Sequence, residues 1–357
     1  MVHAQTEKGA ASTASLLQAQ LELYHHSIAY VKSVALKAAA ELRIPDAIHR
    51  HGGVATLSDI ATETGIHPTK YSHLRRLMRA LANFGIFSVE GDAGYKLTMV
   101  SRLLVEEGGE SMSPLVPVLV DPLGVTALCS IGEWLADERA SARTLFEVAH
   151  GCTRSEILAK SGAGGLYNAG MVADSRLVME VVLKEHIGVF QGVSSLVDVG
   201  GGHGGAAAAI AKALPHVKCT VLDLPHVVAD APTGGSVQFV AGDVFEYVPP
   251  ADVVLLKWVM GLWQHEDAVK VLRRCKEAIL AARDSGGKVI IIEVVIDSWG
   301  SQNVLQRETQ LLFDLAMMRV DGVEREEHQW RKIFVEAGFR DYKITPMGCR
   351  SIIEVYP

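Results

Sequence analysis

From Ser194 onward the chain alternates short β-rich runs with helical segments, and this alternation limits the possible folds more than any other feature. SSLVDVG, KCTVLDL, SVQFVAGD, ADVVLLKWV and GKVIIIEVV are the strand-like runs. Between the last two lies EDAVKVLRRCKEAILAAR, whose Ala268, Leu272, Cys275 and Ile279 recur at the spacing of one helix face. Strands that alternate with helices predict an α/β fold, a doubly wound and mainly parallel sheet over residues 191–357. The closing stretch YKITPMGCRSIIEVYP holds two further strand-like runs around Gly348 and predicts an antiparallel hairpin on the sheet edge.

Before residue 185 the pattern is mainly helical. Leu17 to Leu42 is rich in helix formers with apolar residues on more than one face, as expected of a helix packed against several neighbours or a second subunit. TLSDIATETGIHPTKYSHLRRLMRALANFGIF and SVEGDAGYKLT then read as helix, turn at Gly65, a second helix from about Pro68, and a hairpin turning at Gly91 to Gly94. That order is a winged helix. The expected divisions are a flexible arm at 1–13, a winged-helix dimerisation domain at 14–115, a helical connector contributing to a substrate pocket at 116–190, and the Rossmann-like domain at 191–357.

Composition narrows the functional classes. A winged-helix DNA-binding regulator is the non-enzyme alternative, through His67 to Arg79. Arg75, Arg76 and Arg79 are a thin basic cluster in a chain of net charge −7 and pI about 6.1. A packing or dimerisation module is therefore favoured, and no nucleic-acid partner is expected. Cys129, Cys152, Cys219, Cys275 and Cys349 are scattered and lack CxxC spacing, so neither a disulfide framework nor a metal site is expected. MVHAQTEKGAASTASLLQ lacks the apolar core of a signal peptide, and ADVVLLKWVMGLW and KVIIIEVVI carry internal charge and are too short for a bilayer. A cytoplasmic location with no membrane partner is the expectation.

The glycine turn LVDVGGGHGG fits two templates. Gly200, Gly202 and Gly205 satisfy a dinucleotide fingerprint, whereas Asp198, Gly200, Gly202 and Gly204 satisfy the acidic-x-G-x-G-x-G pattern associated with S-adenosylmethionine. A carboxylate beside the turn would repel a pyrophosphate but would suit a cofactor carrying a sulfonium and an ammonium. Asp223 ends the second strand-like run, where it can accept from two ribose hydroxyls or else cap a helix. Asp243 follows the third, where it can accept from an adenine amino group between the apolar walls of Val244 and Phe245.

LVDVGGGHG, VLDLPHVV, GDVFEYVP, DVVLLKWV, EDAVKVLRRC, IIIEVVI and VEREEHQWRKIFVEAGF together resemble the plant class II small-molecule O-methyltransferases, the caffeic acid and flavonoid type, over nearly the whole chain. The resemblance implies S-adenosyl-L-methionine as cofactor and an intertwined homodimer. It also implies Asp223 and the adjacent Leu224 at the ribose, Asp243 and Val244 at adenine, Lys257 at the cofactor, and Gly200 to Gly204 under the methionine part. His203 departs from a common threonine and reads as a tolerated loop change. Met171 matches a methionine that packs on the acceptor ring, and Trp258, Trp263 and Met317 or Met318 could add apolar area; core packing explains each of these equally well.

Members of that family carry a His-Asp pair after the fourth strand, the histidine removing a phenol's proton. Here the matching residues are Gly261 and Leu262, while Glu293 and Glu324 match the two glutamates that flank the histidine. A phenol with pKa of roughly 10 needs that base, whereas a neutral aromatic amine does not. Loss of the aspartate also removes a charge that would repel an acidic acceptor. The expected activity is therefore methyl transfer to nitrogen of a small aromatic amine such as anthranilate. An O-methyltransferase of a phenylpropanoid or flavonoid with another base is the alternative. His265 is the fallback base, although its place at the start of a helix suits a surface capping residue better.

Overall fold

The computed structural model describes residues 12–91, 94–109, 111–138, 144–153, 156–157, 164–282, 287–296 and 303–357. The first eleven residues of the expected 1–13 arm, and residues 92 and 93 of the expected hairpin turn, lie outside this set. The chain divides into two compact units after Gly109.

In the first unit, the helix expected from Leu17 to Leu42 is two, Thr13–Ile28 and Tyr30–Glu41, separated at Ala29, whose backbone stays in the right-handed helical region. Thr13–Ile28 buries none of its residues, and Leu16, Leu17, Leu21, Leu23 and Ile28 are 59–64% exposed. The helix Leu57–Glu63 starts at Thr56, which forms a reciprocal capping box with Asp59. The helix Tyr71–Asn83 turns Leu74, Met78 and Leu81 inward at intervals of four and three residues. They join Ile44, Ile48, Ile60 and Phe87 in one core. The expected wing is present as β2 (Phe87–Glu90) and β3 (Gly94–Leu97), and β1 (Val54–Thr56) adds a third antiparallel strand on the far side of β3. Three residues carry too little alternation to reveal β1 in the sequence.

The second unit is built on β4 (Ser195–Val199), β5 (Lys218–Asp223), β6 (Val237–Ala241), β7 (Val253–Lys257) and β8 (Lys288–Glu293). After the two-residue strands β9 (Val295–Ile296) and β10 (Arg325–Glu326) come β11 (Asp341–Met347) and β12 (Arg350–Tyr356). The main sheet has the order β11-β12-β8-β7-β4-β5-β6. Its β4 to β8 pairings are parallel, and β12 joins β8 antiparallel with β11 outside it, the edge hairpin the sequence predicts.

Alternation along the strands explains the two cores. Val253 and Leu255 of β7 face the helices Gly164–Glu185 and Gly205–Ala213, joining Met179, Val182, Ala207 and Ile210. Val254 and Leu256 face the helices His265–Ala282 and Glu327–Glu336, joining Leu272, Cys275, Ile279, Trp330 and Phe334. Such a sheet, apolar on both faces, places its polar chemistry at the strand ends.

Candidate active site

The turn after β4 is fixed from beneath. Gly200 donates its N–H to Leu222 at 2.8 Å, and Gly200, Gly202 and Gly204 have φ of 68°, 57° and 75°. A β-carbon on Gly201 would lie 2.6 Å from the Asp198 carboxyl group, and one on Gly204 would lie 3.1 Å from the Phe239 ring. One on Gly202 would meet nothing within 4 Å, so the turn is packed on its sheet side and open at Gly202. Asp198 is 2% exposed, and its Oδ2 has no hydrogen-bond partner. Burial pushes this carboxyl up to about 7, against the opposing charge of Lys257 and a hydrogen bond from the Ala207 backbone. A buried, unsatisfied carboxylate beside an open glycine turn is suited to a cationic ligand group.

At the next strand end, Asp223 accepts the Gly202 N–H at 2.8 Å through Oδ2 and the Leu224 N–H at 2.7 Å through Oδ1. Each oxygen keeps a second lone pair for a ligand hydroxyl. Asp243 lies two residues beyond β6 and accepts the Phe245 N–H at 2.9 Å. Val244 and Phe245 pack against the core, and Phe245 meets Trp263 edge to face at 5.8 Å. Thus Asp198, Asp223 and Asp243 do come to three neighbouring strand ends.

Lys257 ends β7, but its ammonium turns to Asp174 at 2.6 Å and is 5% exposed. Arg350, from the first position of β12, reaches the same carboxylate with Nη1 at 3.0 Å from each oxygen. Burial lowers the Lys257 pKa, while Asp174 opposes the shift. The Arg350 guanidinium also lies 4.0 Å above the centre of the Trp258 ring, whose edge neighbour is Phe313 at 5.7 Å. Trp258 has φ of 55°, a left-handed conformation uncommon for a bulky residue. Asp174 and Arg350 carry no motif. In the sequence Asp174 is one of several charges in its helix, and Arg350 is a charge at the start of a mainly apolar strand.

Gly261 lies in the 3-10 turn Met260–Leu262 and is buried; Leu262 is 46% exposed. The Gly261 N–H donates to Glu293 Oε1 at 3.1 Å, and its carbonyl accepts from the Val323 N–H at 2.8 Å. Arg325 braces the same turn by donating to the Met260 carbonyl at 2.9 Å and to the Trp263 carbonyl. A side chain on residue 261 would start 3.3 Å from Glu293 Oε1 and 3.4 Å from the Met317 methyl. Met171 lies in the helix Gly164–Glu185, half-buried. His265 opens the helix His265–Ala282 and holds Glu336 at 2.9 Å on an exposed face, while His203 lies 3.0 Å from Asn168. Both imidazoles are thus engaged away from the Gly261 turn.

Comparison with known proteins decides the family. Residues 129–340 match the O-methyltransferase domain and residues 24–107 the O-methyltransferase dimerisation domain. The chain is also 62% identical, over 97% of its length, to acetylserotonin O-methyltransferase 3 of Oryza sativa subsp. japonica, of which it covers 96%. The chain belongs to the plant class II O-methyltransferase family. Trans-resveratrol di-O-methyltransferase of Vitis vinifera is 42% identical over 97% of this chain and 98% of that protein. Among solved structures, the calicheamicin-biosynthesis methyltransferase CalO1 with S-adenosylhomocysteine bound superposes with a TM-score of 0.80 at 26% identity, covering 96% of this chain and 98% of that one. Human N-acetylserotonin methyltransferase, at 21% identity and a TM-score of 0.74 over 98% and 99% of the two chains, shares the fold. As a family member, the chain uses S-adenosylmethionine, whose cationic part the unsatisfied Asp198 oxygen and the open Gly202 suit. Among the described residues, no helix is long and apolar enough to cross a membrane.

Proposed function

We propose that the chain, as a homodimer, methylates a hydroxyl group on a small aromatic acceptor of the phenol or hydroxyindole class. Asp223 and Leu224 hold the ribose, Asp243 with Val244 and Phe245 holds adenine, and Gly200, Gly202 and Gly204 lie under the methionine part. Asp198 faces the cationic groups. Lys257 acts through its charge, because its ammonium is held by Asp174. Met171, Trp258, Leu262 and Met317 border the acceptor, with Gly261 beneath it. The cofactor supplies an electrophilic methyl group; the chain's own residues orient the acceptor oxygen and receive its proton.

One observation carries the choice of oxygen: Glu293 and Glu324 are buried beside Gly261 with unsatisfied carboxylate oxygens, so a proton-accepting site persists without an imidazole. The two plant relatives named above are O-methyltransferases. Methylation of an amine nitrogen, as in anthranilate, is the second reading, and it rests on Gly261 and Leu262 standing where the family pattern has His-Asp. The two part in a direct assay. The protein is incubated with methyl-labelled cofactor and N-acetylserotonin, caffeate or anthranilate, and the methyl group is located in the product. Transfer to hydroxyl oxygen is expected. Transfer to the amine alone overturns the proposal.

Asp198 gives a pH prediction. Its folded-state pKa, about 7, is raised from 3.8, so in the free protein its contribution to stability is present below about pH 4 and is lost as pH rises to about 7. A cation bound beside Asp198 favours the ionised carboxylate, so cofactor affinity rises with pH over that window. Each unit by which binding lowers this pKa is worth about tenfold in affinity. Calorimetry with S-adenosylmethionine from pH 5.5 to 8, with no acceptor present, should show tightening toward neutrality with proton release. A flat affinity without proton release counts against Asp198 facing the cationic part.

A further inference from the structure

We infer that Glu293 and Glu324 form a carboxylate pair that takes the acceptor's proton, with Glu324 as the catalytic base and Glu293 as its anchored partner. This deepens the hydroxyl reading above and rests on it. The strands place the two acids together. Glu293 ends β8, and the parallel pairing of β9 with β10, with Arg325 opposite Val295, brings Glu324 back alongside it. Gly261 links the two segments, donating to the Glu293 side chain and accepting from the backbone of Val323, the residue before Glu324.

The two acids are 0% and 2% exposed, yet Glu293 Oε2 and both carboxylate oxygens of Glu324 have no hydrogen-bond partner. A buried acceptor left unsatisfied costs on the order of 1–3 kcal/mol, more when charged, and such groups occur where a ligand completes them. What these oxygens lack is a donor, and an acceptor hydroxyl brings one. The sector that a residue-261 side chain would fill is bounded by Glu293 Oε1 at 3.3 Å and the Met317 methyl at 3.4 Å. The absent imidazole therefore leaves the Glu293 carboxylate on one side of that sector and an apolar wall on the other, with Glu324 in the charge range of Glu293.

Burial sets the direction of the pair's titration, and the surrounding charges temper it. Burial raises both pKa values, and the charges of Glu293 and Asp314 raise Glu324 further. Arg350 and Arg325 oppose the shift at both acids, and Lys257 opposes it at Glu293. Asp174 stands behind Lys257 and Arg350 and offsets part of their charge. The pair consequently titrates above the ordinary carboxylate range, as two coupled acids do. In the reaction the acceptor oxygen bonds to the methyl carbon and displaces the neutral thioether, which keeps the electron pair of the broken carbon–sulfur bond. The O–H proton passes to Glu324 and then to water when the product leaves.

The test uses Glu324→Gln and Glu293→Gln in the full-length homodimer with two phenols, one weakly acidic and one nitro-substituted and already ionised at the assay pH. A base is needed only for the first. Glu324→Gln should lower kcat by about 10²-fold or more on the weakly acidic phenol and by less than about fivefold on the ionised one. S-adenosylhomocysteine affinity should stay within about twofold, and Glu293→Gln should give a smaller loss with the same selectivity. In the unmutated enzyme, the acidic limb of the kcat profile should appear with the weakly acidic phenol and vanish with the ionised one, a readout that needs no variant to fold. Equal losses on both phenols, no loss on either, or the same acidic limb for both overturns the proposal. An unmutated enzyme that methylates amines and no hydroxyl acceptor fails the hydroxyl reading itself, a result visible before any variant is made.

Discussion

Asp223→Ala is expected to weaken S-adenosylhomocysteine binding by about 10²- to 10⁴-fold. Two hydrogen bonds from ribose hydroxyls to a charged carboxylate are worth roughly 1.5–3 kcal/mol each, about 3–6 kcal/mol together. The carboxylate also holds the Gly202 and Leu224 N–H groups, at 2.8 and 2.7 Å, so its loss loosens the glycine turn as well as removing ligand contacts. Asp223→Asn separates the two effects. It keeps the shape and one acceptor oxygen and should lose less affinity than alanine. Calorimetry on the purified variants decides the matter, and a loss below tenfold for the alanine form would remove Asp223 from the cofactor site.

The largest effect on stability is expected from Asp174→Ala. This one buried carboxylate pairs with Lys257 at 2.6 Å and with Arg350 at 3.0 Å, and all three side chains are 5–6% exposed. Removing it leaves two cations in a poorly solvated site, and breaking a buried pair in this way costs about 3–5 kcal/mol. Chemical denaturation should register the loss. Replacing all three residues with apolar side chains of similar volume should recover most of that stability, because the unmet cost belongs to the stranded charges rather than to a missing contact. A single Asp174→Ala change that costs less than about 1 kcal/mol would show that water reaches both cations.

Much of the second unit could be read from the sequence because its determinants are local. Runs such as VVLLK and KVIIIE are apolar on both faces and become β7 and β8, and Gly348 sits in the turn between β11 and β12. The acids at the strand ends were visible for the same reason, since an aspartate after an apolar run marks the place where a strand leaves the core. What stayed hidden is what folding brings together from afar. Asp174 and Arg350 meet across 176 residues, and no spacing rule connects them. Likewise Lys257 was readable as a strand-end cation, but its direction toward Asp174 was not. The helix expected from Leu17 to Leu42 is interrupted at Ala29 without any glycine or proline to announce it. The missing histidine is plain in the letters Gly261 and Leu262, and the nitrogen reading rests on those two letters alone. The unsatisfied oxygens of Glu293 and Glu324 appear only in three dimensions.

Trp258 sets main-chain strain against side-chain packing at one residue. Its positive φ is a conformation that glycine adopts freely and an ordinary side chain adopts at about 1–2 kcal/mol. Glycine there would relax the main chain but would leave the Arg350 guanidinium and the Phe313 ring without the indole between them. Losing a large aromatic costs more than that strain, so the left-handed main chain persists at residue 258 because the indole's contacts outweigh it, and Trp258→Gly should lower rather than raise thermal tolerance.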